Sequence, residues 1–163
     1  MFALIFGLSF LANAQDAKSN QPKGYQFTDI KRLPATSVKD QARAGTCWSW
    51  SGISFFESEM IRMGKEPIDL SAMYIVRHAY SDKATKFVRL HGSMNFAVGG
   101  AFCDVMHVIK NYGIVPMDVY KGLNYGEPNH AFGEIDDVLA GYVNAVIKNS
   151  NKKLSTAWKK GFN

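Results

Sequence analysis

Residues 41–50 read Gln-Ala-Arg-Ala-Gly-Thr-Cys-Trp-Ser-Trp, and they separate two kinds of sequence. Residues 33–45 are polar and rich in turn formers, which predicts a loop. After them, apolar side chains recur at helical spacing as far as Met63, and Gly64 supplies a stop signal. The pattern therefore predicts a long, mostly buried helix that begins at Cys47.

A cysteine at the start of a helix is placed to act as a nucleophile. A thiol reacts as thiolate, and a helix N-terminus stabilises that negative charge. Gly45 allows a tight turn and the close approach of a substrate chain. The N–H of Cys47 and the side-chain amide of Gln41 are candidate donors to an oxyanion. The alternative is an inert thiol, since free cysteine often behaves as a small buried hydrophobe.

The segment resembles the nucleophile motif of the papain superfamily of cysteine peptidases, Q-x-x-x-G-x-C-W-[ST]-[FW]. Within it, the chain is most similar to the bleomycin hydrolase and aminopeptidase C branch. Ala44 stands where secreted papains and cathepsins carry a disulfide cysteine. Further features of that branch are Asp69-Leu70-Ser71-x-x-Tyr74, Gly99-Gly100 and Tyr112-Gly113-Ile114-Val115-Pro116.

The resemblance implies an α+β fold, of which this chain covers mainly the helical N-terminal half. It implies that Cys47 is the nucleophile and that Gln41 is an oxyanion-hole donor. It also implies that the backbone of Gly99 and Gly100 pairs with an extended peptide substrate, as a strand would. The alternative for this glycine pair is a plain turn before a helix.

The base is expected outside these residues. In papain-like enzymes the histidine base and its orienting asparagine lie roughly 130–150 residues after the nucleophile, from about position 177 here. We therefore expect residues 1–163 alone to be inactive. The four histidines, at 78, 91, 107 and 130, do not lie where the family places its base. His107 and Cys103 share a helix face, but no second pair of metal ligands is visible, and no metal or cofactor is predicted.

The implied function is a cysteine-type peptidase that is aminopeptidase- or bleomycin-hydrolase-like and forms an acyl-enzyme with peptide substrates. Relatives in that branch form homohexamers, so the resemblance also implies a homo-oligomer. The alternative function is a non-catalytic peptide-binding module that keeps the half-fold, since the glycine pair can hold a strand without a base. Side-chain specificity and the choice between exo- and endopeptidase remain open.

Composition adds limits on location and partners. The chain has 163 residues, 47% of them hydrophobic, which is enough for one globular core. The net charge of +5 includes no run of five basic residues, so nucleic-acid binding is not predicted. Residues 1–14 are apolar and end in Ala-Asn-Ala, which predicts a cleaved secretory signal and an extracytoplasmic protein, periplasmic or secreted. The run is too short to anchor the chain stably in a membrane, although a retained tether is an alternative.

The remaining pattern predicts residues 15–40 as an extended lead-in and residues 41–163 as a helical domain. The lead-in contains a predicted short strand at Tyr25, Phe27 and Ile30. A second helix is predicted after the N-cap Ser71, with a less regular segment over residues 83–98. Later helices are predicted from Gly99-Gly100 to Tyr112-Gly113, over residues 134–148, and along Leu154, Trp158 and Phe162. Cys103 is predicted to lie in the core, and a disulfide with Cys47 is not favoured.

Overall fold

The computed structural model describes residues 24–25, 27–150 and 153–163, so the predicted signal at residues 1–14 lies outside them. The chain divides into two compact units, Met1–Arg32 and Leu33–Asn163. In the described part of the first unit, Tyr25, Phe27 and Ile30 are almost fully exposed and form no strand. The predicted strand is wrong there, because no neighbouring strand pairs with these residues.

The described part of the second unit contains five α-helices. They are α1 (Cys47–Arg62), α2 (Ala72–Arg89), α3 (Phe102–Tyr112), α4 (Gly133–Ile147) and α5 (Ala157–Phe162). Instead of a sheet, these residues contain two isolated bridges, a parallel one between Arg43 and Ala131 and an antiparallel one between Leu70 and Pro116. None of the described helices is long and apolar enough to cross a bilayer.

The helix boundaries confirm most of the predicted pattern. Helix α1 begins at Cys47, and α3 and α4 lie within one or two residues of the predicted limits. Helix α2 begins after Ser71, whose hydroxyl accepts a hydrogen bond of 3.0 Å from the N–H of Tyr74. The last helix is shorter than predicted, since it begins at Ala157 and leaves Leu154 before it.

Helix α2 also continues through Arg89, where the sequence predicted a less regular segment from residue 83 onward. The continuation is stabilised by a small core made of Ala84, Phe87, Val88 and Val143, the last of which lies on α4. Burying these side chains requires the helical spacing of the α2 residues to be maintained. The prediction failed because the covering helix lies more than fifty residues further along the chain.

The main core lies where α1, α2 and α3 meet. Its most deeply buried side chains include Ile53 on α1, Ile75 and Val76 on α2, and Val105 and Val108 on α3. At Gly52 the first and third helices approach closely, since an added Cβ would lie 2.8 Å from Cγ2 of Val105. This packing fixes the direction in which α1 presents its first residue.

A buried carboxylate in the middle of α1 holds two loops. Glu57 pairs with Nζ of Lys39 at 2.7 Å and accepts hydrogen bonds from the N–H of Leu70, at 2.7 Å, and from the hydroxyl of Thr36. Burial lowers the pKa of Lys39, but hydrogen bonds to Asp69 and Glu57 raise it more, so its pKa lies above the usual lysine value. The segment that leads into residues 41–46 is therefore tied to α1.

Candidate active site

Cys47 is the first residue of α1, and its side chain is exposed. The N-cap residue before it, Thr46, is fully buried and does not cap the helix through its side chain. Its hydroxyl instead accepts a hydrogen bond of 3.1 Å from the indole Nε1 of Trp50. The backbone N–H of Cys47 also donates to no other described residue. The first turn of α1 therefore presents a thiol and an open donor to solvent.

The residues after Cys47 attach α1 to its surroundings in different directions. The indole Nε1 of Trp48 donates to the carbonyl of Val98 at 3.0 Å. The hydroxyl of Ser49 is buried and donates to the carbonyl of Ala72, the first residue of α2, at 2.8 Å. These bonds hold the first turn, so Cys47 is positioned without using its own side chain.

The loop before Cys47 is tightly folded. Ala42 has a φ of +49°, unusual for a residue with a side chain, and its N–H donates to Oδ1 of Asp40 at 2.7 Å. The N–H of Ala44 donates to the carbonyl of Gln41 at 3.1 Å. Gly45 has a φ of +64°, a conformation that favours glycine, and it lies against the side chain of Val98. The loop therefore brings the chain into α1 through two left-handed residues.

Gln41 lies half-buried at the start of this loop, six residues before Cys47. Its Oε1 is buried and accepts no hydrogen bond from the described residues, and no hydrogen bond joins its side chain to Cys47. Gln41 and Cys47 thus lie at opposite ends of the loop without a hydrogen bond between them. The loop itself is held by Arg43, whose N–H donates to the carbonyl of His130 at 2.9 Å.

The glycine pair lies beside the residue that follows Cys47. An added Cβ at Gly100 would lie 2.5–2.9 Å from atoms of the Trp48 ring, so only glycine fits there. Gly99 has no such neighbour within 4 Å. Neither glycine has a left-handed φ. The structure thus brings Gly100 to the start of α1.

Lys83 was not predicted as a site residue. Its Nζ donates to the carbonyl of Gly99 and lies 5.4 Å from the centroid of the Trp48 ring. Burial lowers its pKa, and the negative charges of Asp104 and Asp136 oppose that effect only in part. This contact could not be predicted, because residue 83 belongs to the segment for which the pattern predicted less regular structure.

Cys47 makes no hydrogen bond to any of the four histidines. His130 is 9% exposed and packs edge-on against Trp50 with 5.4 Å between ring centroids. Burial lowers its pKa, and its Nδ1 has no hydrogen-bond partner among the described residues. His107 pairs with Asp82 at 3.0 Å. In the part of the chain that the structure describes, no three His, Cys, Asp or Glu residues cluster as metal ligands.

The prediction that Cys103 is buried is wrong. Its thiol is exposed and free, as is that of Cys47. Helix α3 turns Val105 and Val108 toward the core, and both are fully buried. A residue two positions before Val105 lies about 200° around the helix from it, on the outer face. The apolar neighbours of Cys103 in sequence therefore misled the prediction.

Comparison with known proteins identifies the family. Residues 22–157 match the family described as "Papain family cysteine protease". The chain belongs to the papain family of cysteine proteases. The mainly helical structure agrees with the N-terminal helical half of a papain-like domain. Gln41, Cys47, Gly99 and Gly100 all lie within the matched residues of this papain-family chain, and their roles are taken up below as proposals.

A curated relative of this papain-family chain is "Cathepsin B-like CP2" of Giardia intestinalis. The two are 28% identical over 92 residues, which is 50% of this chain and 31% of that protein. The chain thus spans about a third of the length of that relative. These matches support the papain family and give no support to the bleomycin hydrolase branch.

Proposed function

We propose that the protein containing this chain is a cysteine peptidase that cleaves peptide bonds through Cys47. The observation that carries the proposal is the open first turn of α1. An exposed thiol lies there beside the N–H of Cys47, which is one of the first-turn donors without a partner inside the helix and bonds no other described residue. The hydroxyl of Thr46 does not cap this turn, since it accepts from Trp50. Open N–H groups and the helix dipole stabilise negative charge on a thiolate and on an oxyanion.

The reaction follows from these groups. The Cys47 thiolate attacks the peptide carbonyl carbon and forms a C–S bond, and the carbonyl oxygen takes up the negative charge. The N–H of Cys47 and Nε2 of Gln41 donate to that oxygen. The intermediate then releases the amine, and water hydrolyses the thioester. A histidine expected beyond residue 163 accepts the thiol proton and gives it to the leaving amine.

The substrate is proposed to be an extended peptide that pairs with the backbone at Gly99 and Gly100. Both glycines are exposed, and the packing of Gly100 on Trp48 joins this segment to the start of α1. The narrower assignment to an aminopeptidase of the bleomycin hydrolase type rests on the sequence features around Ala44 and residues 69–74. Peptides with free and with blocked N-termini test it, since an aminopeptidase cleaves only the former.

The test of the main proposal uses the complete protein expressed from its whole reading frame. Cys47→Ala should abolish peptide hydrolysis, whereas Cys103→Ser, which changes the other exposed free thiol, should leave it unchanged. Gln41→Ala should lower kcat by about 10²–10³-fold, as expected for one oxyanion donor. Hydrolysis by the Cys47→Ala variant would overturn the proposal. Peptide binding by the wild type without turnover would favour the binding module.

Export of the protein is proposed from residues 1–14, and homo-oligomerisation from the family resemblance. N-terminal sequencing of the protein recovered from cells should give Gln15 as its first residue, and retention of the apolar run would contradict cleavage. Light scattering on the same material measures the oligomeric state, and a monomer would contradict the second proposal.

A further inference from the structure

A half-buried lysine on α2 contacts the segment proposed to hold the substrate. Nζ of Lys83 donates to the carbonyl of Gly99 and lies over the rings of Trp48 and Tyr80, 5.4 and 5.7 Å from their centroids. It forms no ion pair with any described carboxylate. The ammonium group thus contacts a backbone carbonyl and two aromatic faces. A lysine on the surface usually extends its charged end into water, so these contacts ask for a role of their own.

Two side chains hold the backbone just before Gly100. The carbonyl of Val98 accepts from Nε1 of Trp48 at 3.0 Å, and the carbonyl of Gly99 accepts from Lys83. Two consecutive carbonyls are therefore fixed by side chains from different helices. This matters because glycine is the residue with the widest backbone freedom, and an unheld glycine pair would populate many conformations.

The residue just after Gly100 is held as well. The N–H of Ala101 donates to Oδ2 of Asp104 at 2.8 Å, and its carbonyl accepts from the N–H of Asp104 at 2.9 Å. Gly100 differs from its neighbours, since neither its N–H nor its C=O bonds to any described residue. One residue with both backbone groups open is what a strand needs in order to exchange a pair of hydrogen bonds with a partner residue.

We propose that Lys83 is a positioning residue for substrate binding. It holds the Gly99 carbonyl so that the N–H and C=O of Gly100 stay available to the backbone of an extended peptide. The inference rests on the proposed peptidase function and assigns part of the binding to a residue outside the sequence motif. Without Lys83, the glycine pair must be ordered anew each time a substrate binds, and that cost weakens binding. Chemistry at Cys47 is not affected.

The test compares three variants of the complete protein. Lys83→Met keeps the length of the side chain and removes its donors, Lys83→Arg restores a charged donor, and Lys86→Met removes an exposed lysine one turn further along α2. For a peptide substrate, Lys83→Met should raise KM about tenfold, the effect of one hydrogen bond, with kcat within about twofold. The KM of Lys83→Arg should return most of the way to the wild-type value, and the KM of Lys86→Met should equal it.

Alkylation of Cys47 by iodoacetamide, followed by mass spectrometry of the peptide that contains Cys47 because Cys103 is also an exposed thiol, provides a second readout. This small reagent does not need the backbone of Gly100. The alkylation rate should be the same in all three variants and the wild type. An unchanged KM in Lys83→Met overturns the proposal. So does a fall in the alkylation rate that parallels the rise in KM, because that result would show a general disturbance of α1.

A wild type that hydrolyses no peptide would refute the proposed function and still leave Lys83 open to test. In that case the amide NMR resonances of Gly99 and Gly100 report on the backbone directly. In the wild type each should be a single peak, and in Lys83→Met each should broaden or split. Identical peaks in the two proteins would overturn the positioning role by itself.

Discussion

Replacing Gly100 by alanine tests the contact that joins the glycine pair to α1. The new Cβ would lie 2.5 Å from Cε2, 2.6 Å from Cδ2 and 2.9 Å from Cζ2 of Trp48. The ring cannot move aside freely, because it is 8% exposed and its Nε1 is bonded to the carbonyl of Val98. Gly99→Ala is the matched control, since its Cβ meets nothing within 4 Å.

The size of the effect follows from these contacts. Overpacking of this kind costs about 1–3 kcal/mol, and weakening of the indole hydrogen bond adds about 1 kcal/mol. We therefore expect Gly100→Ala to lower the free energy of unfolding by about 2–4 kcal/mol, or Tm by about 4–16 °C for a chain of this size. Gly99→Ala should change the free energy of unfolding by no more than about 0.5 kcal/mol.

Thermal and urea unfolding, followed by far-UV circular dichroism, measure both variants under the same conditions. Equal destabilisation of the two, or a Gly100→Ala protein as stable as the wild type, would refute the close packing of Gly100 on Trp48. Peptide hydrolysis by the complete protein with the same substitutions then separates folding from binding. A Gly99→Ala protein of normal stability should still lose activity if the glycine pair binds the substrate backbone, because the new methyl group lies on an exposed segment.

Three further perturbations test the surroundings of the site. Thr46→Val should cost about 1–2 kcal/mol in urea unfolding, because it leaves the part-buried indole N–H of Trp50 without its acceptor. Thr46→Ser keeps a hydroxyl acceptor and should cost less, and equal midpoints would contradict this. Lys39→Met should cost about 3 kcal/mol by the same measurement, because the carboxylate of Glu57 stays buried without its cation, and a loss under about 1 kcal/mol would refute that pairing. Burial lowers the pKa of His130, so the folded state binds its proton less readily than the unfolded state. Stability should therefore fall as the pH drops below about 6.5, less steeply in His130→Gln, and identical pH profiles would contradict this sign.

The sequence alone was sufficient for the start of α1 and for the family. Both depend on local features, namely the motif around Cys47 and the change to helical spacing after it. The start of α2 was predicted in the same way, from its N-cap Ser71. Such signals act over one or two turns, so they can be recognised without knowing which elements pack together. The length of α2 was missed for the opposite reason, since its last turns are stabilised by Val143 of α4.

The polar contacts around the site could not be predicted. Nothing in the sequence shows that the hydroxyl of Thr46 accepts from Trp50 or that Lys83 reaches Gly99. The second contact joins a helix to a loop sixteen residues later, and its existence depends on how α2 and α3 cross. The prediction that Cys103 is buried failed for a similar reason, since tertiary packing decides which side of α3 faces the core.

The contacts around α1 give each of the three residues after Cys47, the proposed nucleophile, a structural role. Trp48, Ser49 and Trp50 each donate one side-chain hydrogen bond, to Val98, to Ala72 and to Thr46. Val98 lies just before Gly99 and Gly100, Ala72 begins α2, and Thr46 ends the loop before α1. The first turn of α1 is therefore held from three directions. The thiol and N–H of the preceding residue then need no partners inside the protein. A nucleophile must keep its bonding capacity for the substrate, so its orientation has to come from its neighbours, and the first turn of α1 meets that requirement for the role proposed for Cys47.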